Sequence, residues 1–341
     1  MPEAAASPER AMRRADSWTY ASGRVAALEG TLLGRDALER LAEADSPAAT
    51  SSALAESPLR GPLSEAENLA QIGEAISTCY SSALGSLQDD CPFPAMFELV
   101  AVPARFGELK DRVRAALKES GAGDLSADAA RELLGDFAPE SEAAAGLRLL
   151  LGLLADEECD RDQAINLALD SARLLESLRL AEYLGDEDVL AHVRDEVAVR
   201  AALVLWRSKL VAADDPEDRS GDLVPRLFLR GELSKGLPAL LWPRPFIGWG
   251  TLIADGLALE LGGELFGSGE EERLNAWEKA AFDWLTGRAR LLRGQAFGVG
   301  RVYGYAWGLA IEERNVRLAC IGRARGVTAA AIKELFLEGY A

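Results

Sequence analysis

Ile311-Glu-Glu-Arg-Asn-Val-Arg-Leu318, followed by Gly322-Arg-Ala-Arg-Gly-Val-Thr328 and Ile332-Lys-Glu-Leu-Phe336, reads as helix, stop, cap and second helix. Gly326 can take the left-handed backbone conformation that ends a helix, and the Thr328 hydroxyl can accept the first free N–H groups of the next. Gly298-Val-Gly-Arg-Val-Tyr-Gly-Tyr305 opens the same segment. Ile311, Asn315 and Leu318 recur at three- and four-residue steps, so the Asn315 amide lies among apolar neighbours and must find hydrogen-bond partners in another helix or loop. Glu313 and Arg317 stand four apart in the order that favours pairing, worth about 0.3–0.5 kcal/mol on an exposed flank.

The ending is echoed twice upstream. Gly123-Asp-Leu-Ser126 and Gly231-Glu-Leu-Ser234 align with Gly326-Val-Thr328, and bulky apolar residues follow each cap seven and eight positions later: Leu133 and Leu134, Leu241 and Trp242, Leu335 and Phe336. That spacing returns to one helix face after two turns, so each second helix has a face built to pack. A basic-x-basic step precedes each cap, at Arg112 and Arg114, Arg207 and Lys209, Arg323 and Arg325. Three related units imply three helical lobes, over residues 17–125, 126–233 and 234–341, behind a leader of residues 1–16.

Composition agrees with an all-α chain. Alanine, leucine, glutamate and arginine dominate, valine and isoleucine are sparse, and polar and apolar residues do not alternate over any length, so strand content should be near zero. With 341 residues, 49% of them hydrophobic, the chain can bury one large core or two or three smaller ones. Tyr20, Arg24, Val25, Leu28, Glu29, Leu32 and Leu33 mark a first amphipathic helix. Ser46–Pro62 reads as a loop, with further breaks at Cys91–Pro94, Gly121–Gly123, Asp214–Gly221 and Pro238–Pro245.

The net charge of -18 repels a phosphate backbone, which excludes nucleic acid as a partner and disfavours anionic lipid, while suiting basic loops of another protein. Cys79, Cys91, Cys159 and Cys320 are scattered without a CxxC step, as reduced thiols of a cytosolic protein would be. The N-terminus has no basic region followed by an apolar core, so no secretory signal is read. The apolar windows Ala143–Ala155 and Gly236–Gly267 are interrupted by charge and proline and do not span a bilayer.

Catalytic patterns fail one by one. The chain contains no GxxxxGK[ST] string to cradle a nucleotide's phosphates, and Gly298–Gly304 imitates a dinucleotide loop with the wrong final spacing and no strand before it. The single histidine, His192, follows Asp186, Glu187 and Asp188 and reads as part of a charged helix surface rather than a metal or acid–base site. Asp214-Asp-Pro-Glu-Asp218 resembles the magnesium-binding DDxxD string of helical prenyl-transferring enzymes, but Pro216 breaks the helix that would align its carboxylates; an exposed acidic loop is the better reading. No catalytic, cofactor-binding or metal-binding residue is assigned.

Three stretches resemble one family. Tyr20-Ala-Ser-Gly-Arg-Val-Ala-Ala-Leu-Glu29 with Leu32-Leu33, Glu196-Val-Ala-Val-Arg-Ala-Ala-Leu-Val-Leu-Trp-Arg-Ser-Lys-Leu210, and Glu313-Arg-Asn-Val-Arg-Leu318 with Gly322-Arg-Ala-Arg-Gly326 are similar to the C-type central-stalk subunits of prokaryotic V/A-type ATPases, which eukaryotes carry as the d-type. The resemblance runs from about Trp18 to Tyr340. The family repeats an Asn-Leu-Lys/Arg motif on three helices; here Asn315 keeps the asparagine, and Glu108 and Ala201 stand at the matching positions. The resemblance implies three similar lobes in a pseudo-threefold, funnel-like arrangement, seated on the cytoplasmic face of the membrane rotor ring and receiving the central shaft of the ATPase head. It implies torque transmission without chemistry, and peripheral membrane association through the ring. Asn315 and Arg317, together with the basic pairs Arg207 and Lys209, and Arg323 and Arg325, are the candidates for structural or partner-contact roles. Trp206, Arg207 and Lys209 read either as a solvated helix end whose cations complement the dipole or as a shaft contact. Tyr305 and Trp307 read as core packing. A free-standing helical-repeat adaptor is the alternative.

Overall fold

The computed structural model describes residues 15–120, 127–156, 160–214 and 270–340. Among them every regular element is helical. They are α1 (Ala15–Leu28), α2 (Arg35–Glu43), α3 (Pro47–Ala53), α4 (Arg60–Glu65), α5 (Leu69–Gly85), α6 (Ala95–Ser120), α7 (Ala127–Leu134), α8 (Glu142–Asp156), α9 (Arg161–Leu184), α10 (Glu187–Asp214), α11 (Glu270–Arg293), α12 (Val299–Ala324) and α13 (Ala329–Leu335), with 3₁₀ turns at Glu29–Thr31 and Gln88–Asp90.

Short polar side chains start many of these helices. Asn68 accepts from the Gln71 N–H at 3.0 Å, Asp160 from Gln163 at 2.9 Å and Asp186 from Val189 at 2.9 Å, opening α5, α9 and α10. Ser141 accepts from Ala144 and Thr328 from Ala331, both at 3.3 Å. Each satisfies one of the N–H groups that a helix leaves unpaired at its start. The break at Cys91–Pro94 falls where expected, between the second 3₁₀ turn and α6. Ser46–Pro62, expected as a loop, instead carries α3 and the start of α4, because Ser46 caps α3 through the Ala49 N–H at 3.2 Å and Pro47 supplies a preset first-turn φ. The expected caps at Gly123–Ser126 and Gly231–Ser234, the residues Leu241 and Trp242, the remainder of the Asp214–Gly221 acidic loop beyond Asp214, the Gly236–Gly267 window, Cys159 and most of the leader lie outside the described residues.

The chain forms two compact units. Unit 1 comprises Met1–Phe97, Leu184–His192 and Lys279–Ala341, and unit 2 comprises Glu98–Tyr183 and Val193–Glu278. In unit 1, α12 packs against α5, α2, α1 and α13. Its buried face includes Val302, Tyr305, Ile311 and Val316, and Trp307 stacks on Phe282 with centroids 6.3 Å apart. Of the stripe expected on the first helix, Val25 and Glu29 are buried, together with Trp18 and Ala21, whereas the Tyr20 side chain is exposed.

In unit 2, Phe106 meets Phe137 edge-on at 5.1 Å beneath the Arg105 guanidinium, which lies 4.3 Å above the Phe137 ring. Lys110 pairs with Asp170 at 2.8 Å, and Arg114 reaches Asp162 at 3.2 Å and Asn166 at 2.9 Å, fastening α6 to α9. Trp206 and Trp277 lie 6.1 Å apart between α10 and α11, both fully buried.

Candidate functional site

The end of α12 forms as its sequence requires. Gly326 has φ +81°, its N–H donates to Arg323 O at 2.9 Å, and the Val327 N–H donates to Gly322 O at 2.9 Å. These two bonds define a glycine-centred Schellman stop. Thr328 then caps α13, and of the two apolar residues beyond it Phe336 is fully buried whereas Leu335 remains exposed.

Asn315 is fully buried, and its amide holds one residue of the C-terminal tail at both ends. Its Nδ2 donates to Leu337 O at 2.9 Å and its Oδ1 accepts from the Leu337 N–H at 3.0 Å. The partners it requires therefore come from the tail after α13, whose backbone has no helical partner of its own at that point.

Tyr340 follows the same tail onto α12. A Cβ at Gly308 would lie 2.7 Å from the Tyr340 ring, and one at Gly304 would lie 2.8 Å from its hydroxyl and 3.1 Å from Ala289 O. Glycine at these positions is what lets the ring lie on the helix. The Tyr340 hydroxyl donates to Glu29 Oε1 at 3.4 Å, and Arg301 and Arg293 approach Glu29 Oε2 at 3.0 and 3.4 Å. Glu29 is 3% exposed, so its charge is buried in company with two guanidiniums.

One turn before Asn315, the Glu312 carboxyl is also buried. It accepts from the Tyr80 hydroxyl at 2.7 Å and from the Leu33 N–H at 2.5 Å, tying α5 and the α1–α2 connection to α12. Burial pushes its pKa above the usual carboxylate range, and these two hydrogen bonds act in the opposite direction. The same environment raises Tyr80, through burial first and the neighbouring Glu312 second.

The basic candidates have separate surroundings. Arg317 Nε donates to Glu313 at 2.9 Å, and its terminal nitrogen donates to Ser77 Oγ, so it fastens α12 to α5. Arg323 lines a cleft with Cys320, while Arg325 is exposed beside the helix stop. Arg207, on α10 in unit 2, pairs with Glu278 at 2.6 Å while remaining over half exposed. The Lys209 side chain lies outside the described residues. Asn315, Arg317, Arg323 and Arg325 thus share one helix and its stop, and Arg207 belongs to the other unit.

His192 is a correction. It is 2% exposed, not part of a charged surface, with Nδ1 3.0 Å from the Tyr303 hydroxyl, Nε2 3.0 Å from Leu285 O, and its ring edge-on to Trp307 at 4.7 Å. Tyr305 and Trp307 are buried in the core as expected. Cys79, Cys91 and Cys320 are free thiols; burial pushes Cys91 and Cys320 up to about 12, far from the thiolate form. Among the described residues no three His, Cys, Asp or Glu side chains gather to hold a metal, and no helix is long and apolar enough to cross a membrane.

Sequence reading missed Glu29, Tyr80, Glu312 and Tyr340. One signal was available: Gly300, Gly304 and Gly308 recur every four residues along α12, a spacing that marks close approach by another segment. In comparisons with protein-family models and with curated proteins, the chain matches none.

Proposed function

We propose that this chain is a non-catalytic central-stalk subunit of a V/A-type rotary ATPase, corresponding to the C-type stalk component of prokaryotes and the d-type of eukaryotes. In this reading it is built of three similar lobes arranged as a funnel, sits on the cytoplasmic face of the membrane rotor ring and takes the foot of the central shaft. It passes torque between ATP turnover and ion translocation without making or breaking a bond itself.

The observation that carries the proposal is the string Glu313-x-Asn315-x-Arg317-Leu318 with its glycine-stopped basic turn, on the helix around which unit 1 is assembled. Asn315 and Arg317 serve the fold in this reading, through Leu337 and through Glu313 and Ser77. Arg323 and Arg325 at the helix stop, and Arg207 with Lys209 on α10, are the candidate contacts with ring and shaft. The charge of -18 favours basic loops on those partners, and attachment through the ring requires no membrane-spanning helix.

The test is affinity purification of the tagged chain from gently solubilised membranes of its own host, with mass spectrometry of the eluate. Recovery of the ATPase head, shaft and ring proteins at comparable stoichiometry is the expected result. Elution alone, or with unrelated cytosolic proteins, overturns the stalk reading in favour of a free-standing helical adaptor.

A further inference from the structure

The turn between α9 and α10 meets the connection before α12 around a cleft of about 420 Å³, large enough to seat a bulky side chain. All of its lining residues belong to unit 1. Trp18, Phe93, Leu184 and Val299 give it an apolar lining, and Phe297 stands beside them with 56% of its surface exposed. An aromatic ring left in water next to an apolar cleft is surface for a partner to cover.

Asp186, Glu187 and Asp188 line the same cleft, and among the described residues none of them forms an ion pair. Asp186 caps α10 through the Val189 N–H at 2.9 Å, and Asp188 accepts from Gln295 Nε2 at 2.7 Å. Glu187 is exposed and makes no hydrogen bond among the described residues. Arg301 donates to Gln295 O at 3.4 Å, but its other terminal nitrogen is directed to Glu29 at 3.0 Å. The positive end of the α10 dipole offsets about half a charge. An apolar interior therefore adjoins about two uncompensated negative charges, and that pairing selects a partner with an apolar centre and cations around it. An anionic partner is repelled from the same place.

We propose that this cleft docks a basic peptide segment of a partner protein, with one apolar side chain seated against Trp18, Phe93 and Phe297 and the flanking lysine or arginine side chains on Glu187 and Asp188. The exposed face of Phe297 adds a cation–π contact to a flanking guanidinium or ammonium. The proposal does not rest on the stalk reading, whose candidate contacts Arg207, Lys209, Arg323 and Arg325 are themselves basic.

Isothermal titration of the full chain with the peptide acetyl-Lys-Arg-Phe-Lys-Arg-amide tests the proposal. Saturable binding is expected, weakened roughly tenfold or more when serine replaces the peptide's phenylalanine, because burial of that ring is lost. Phe297→Ser, at an exposed position that the core does not need, should weaken it as well. Glu187→Gln should weaken it about two- to fivefold, the range of an exposed ion pair. Glu334→Gln, a loss of the same charge on the exposed side of α13, should leave it unchanged. Absence of saturable binding overturns the proposal, and so does equal binding of the serine peptide or equal weakening by Glu187→Gln and Glu334→Gln, either of which would report charge alone. Binding of phenethylammonium as tight as that of the peptide also overturns it, by assigning the cleft to a small organic cation.

Discussion

Asn315 and Glu312 both place polar groups inside an apolar interior, and they answer the same difficulty in different ways. Asn315 spends both halves of its amide on Leu337, so Asn315→Ala leaves a buried N–H and a buried C=O unpaired, at about 1–3 kcal/mol for each group. A lower urea midpoint with an unchanged slope is the expected result. Glu312 is held in a setting that favours its protonated form. Its carboxyl is raised in the folded chain and ordinary, near 4.5, in the unfolded one. Below that pH both states hold the proton and the stabilisation is complete; as pH rises, the unfolded state ionises first and the contribution declines until the folded carboxyl itself ionises. Glu312→Gln removes this slope, so the urea midpoint of the variant should gain on the parent as pH increases from 4.5. A difference that stays flat with pH would count against the assignment. The need of Asn315 for partners was legible because Ile311 and Leu318 flank it at helical spacing. Glu312 was not, because Glu313 beside it reads as one half of a flanking ion pair with Arg317. His192 misled for a related reason: its neighbours Asp186–Asp188 are charged, while the groups that enclose it, Leu285 and Tyr303, lie about a hundred residues along the chain.

Helix α12 combines a part that its own sequence dictates with a part that only packing dictates. The stop at Gly326 and the cap at Thr328 are local and were readable, because glycine alone takes φ +81° without a Cβ penalty. Gly326→Ala should cost about 1–2 kcal/mol, the usual penalty for a left-handed alanine, measured as a fall in urea midpoint. The glycines at 304 and 308 answer to a distant segment. A methyl group at Gly308 meets the Tyr340 ring at 2.7 Å, so Gly308→Ala should destabilise by about 1–3 kcal/mol despite alanine's better helix propensity. Gly308→Ala combined with Tyr340→Ala should cost less than the sum of the two single changes, which a double-mutant cycle reads directly. Stabilisation by Gly308→Ala alone would mean that the tail does not lie there. The helices within Ser46–Pro62 escaped notice because serine, proline and alanine there suggest a loop, and only the Ser46 cap and the neighbours of α3 and α4 favour helix.

Across the whole chain, helical content could be read from composition alone, while the grouping of the helices could not. Unit 1 joins segments far apart in sequence, Glu29 to Arg301, Tyr80 to Glu312 and Lys333 to Glu43, and one sequence offers no local sign of such pairings. The charge of -18 has its consequence at this level too: if the stalk proposal holds, association with reconstituted ring and shaft should slow steeply as salt is raised, which stopped-flow mixing at several ionic strengths would register. The division of the chain also sets a timetable for synthesis. Helices α1, α2 and α5 leave the ribosome with the faces they turn to α12 bare, and the segment from Lys279 that covers them follows α5 after about 190 residues, an interval of about 10–40 s at ordinary translation rates. During that interval the early helices are natural clients for chaperones, and a ribosome stalled before α12 would release a chain whose α1, α2 and α5 lack the helix they pack against.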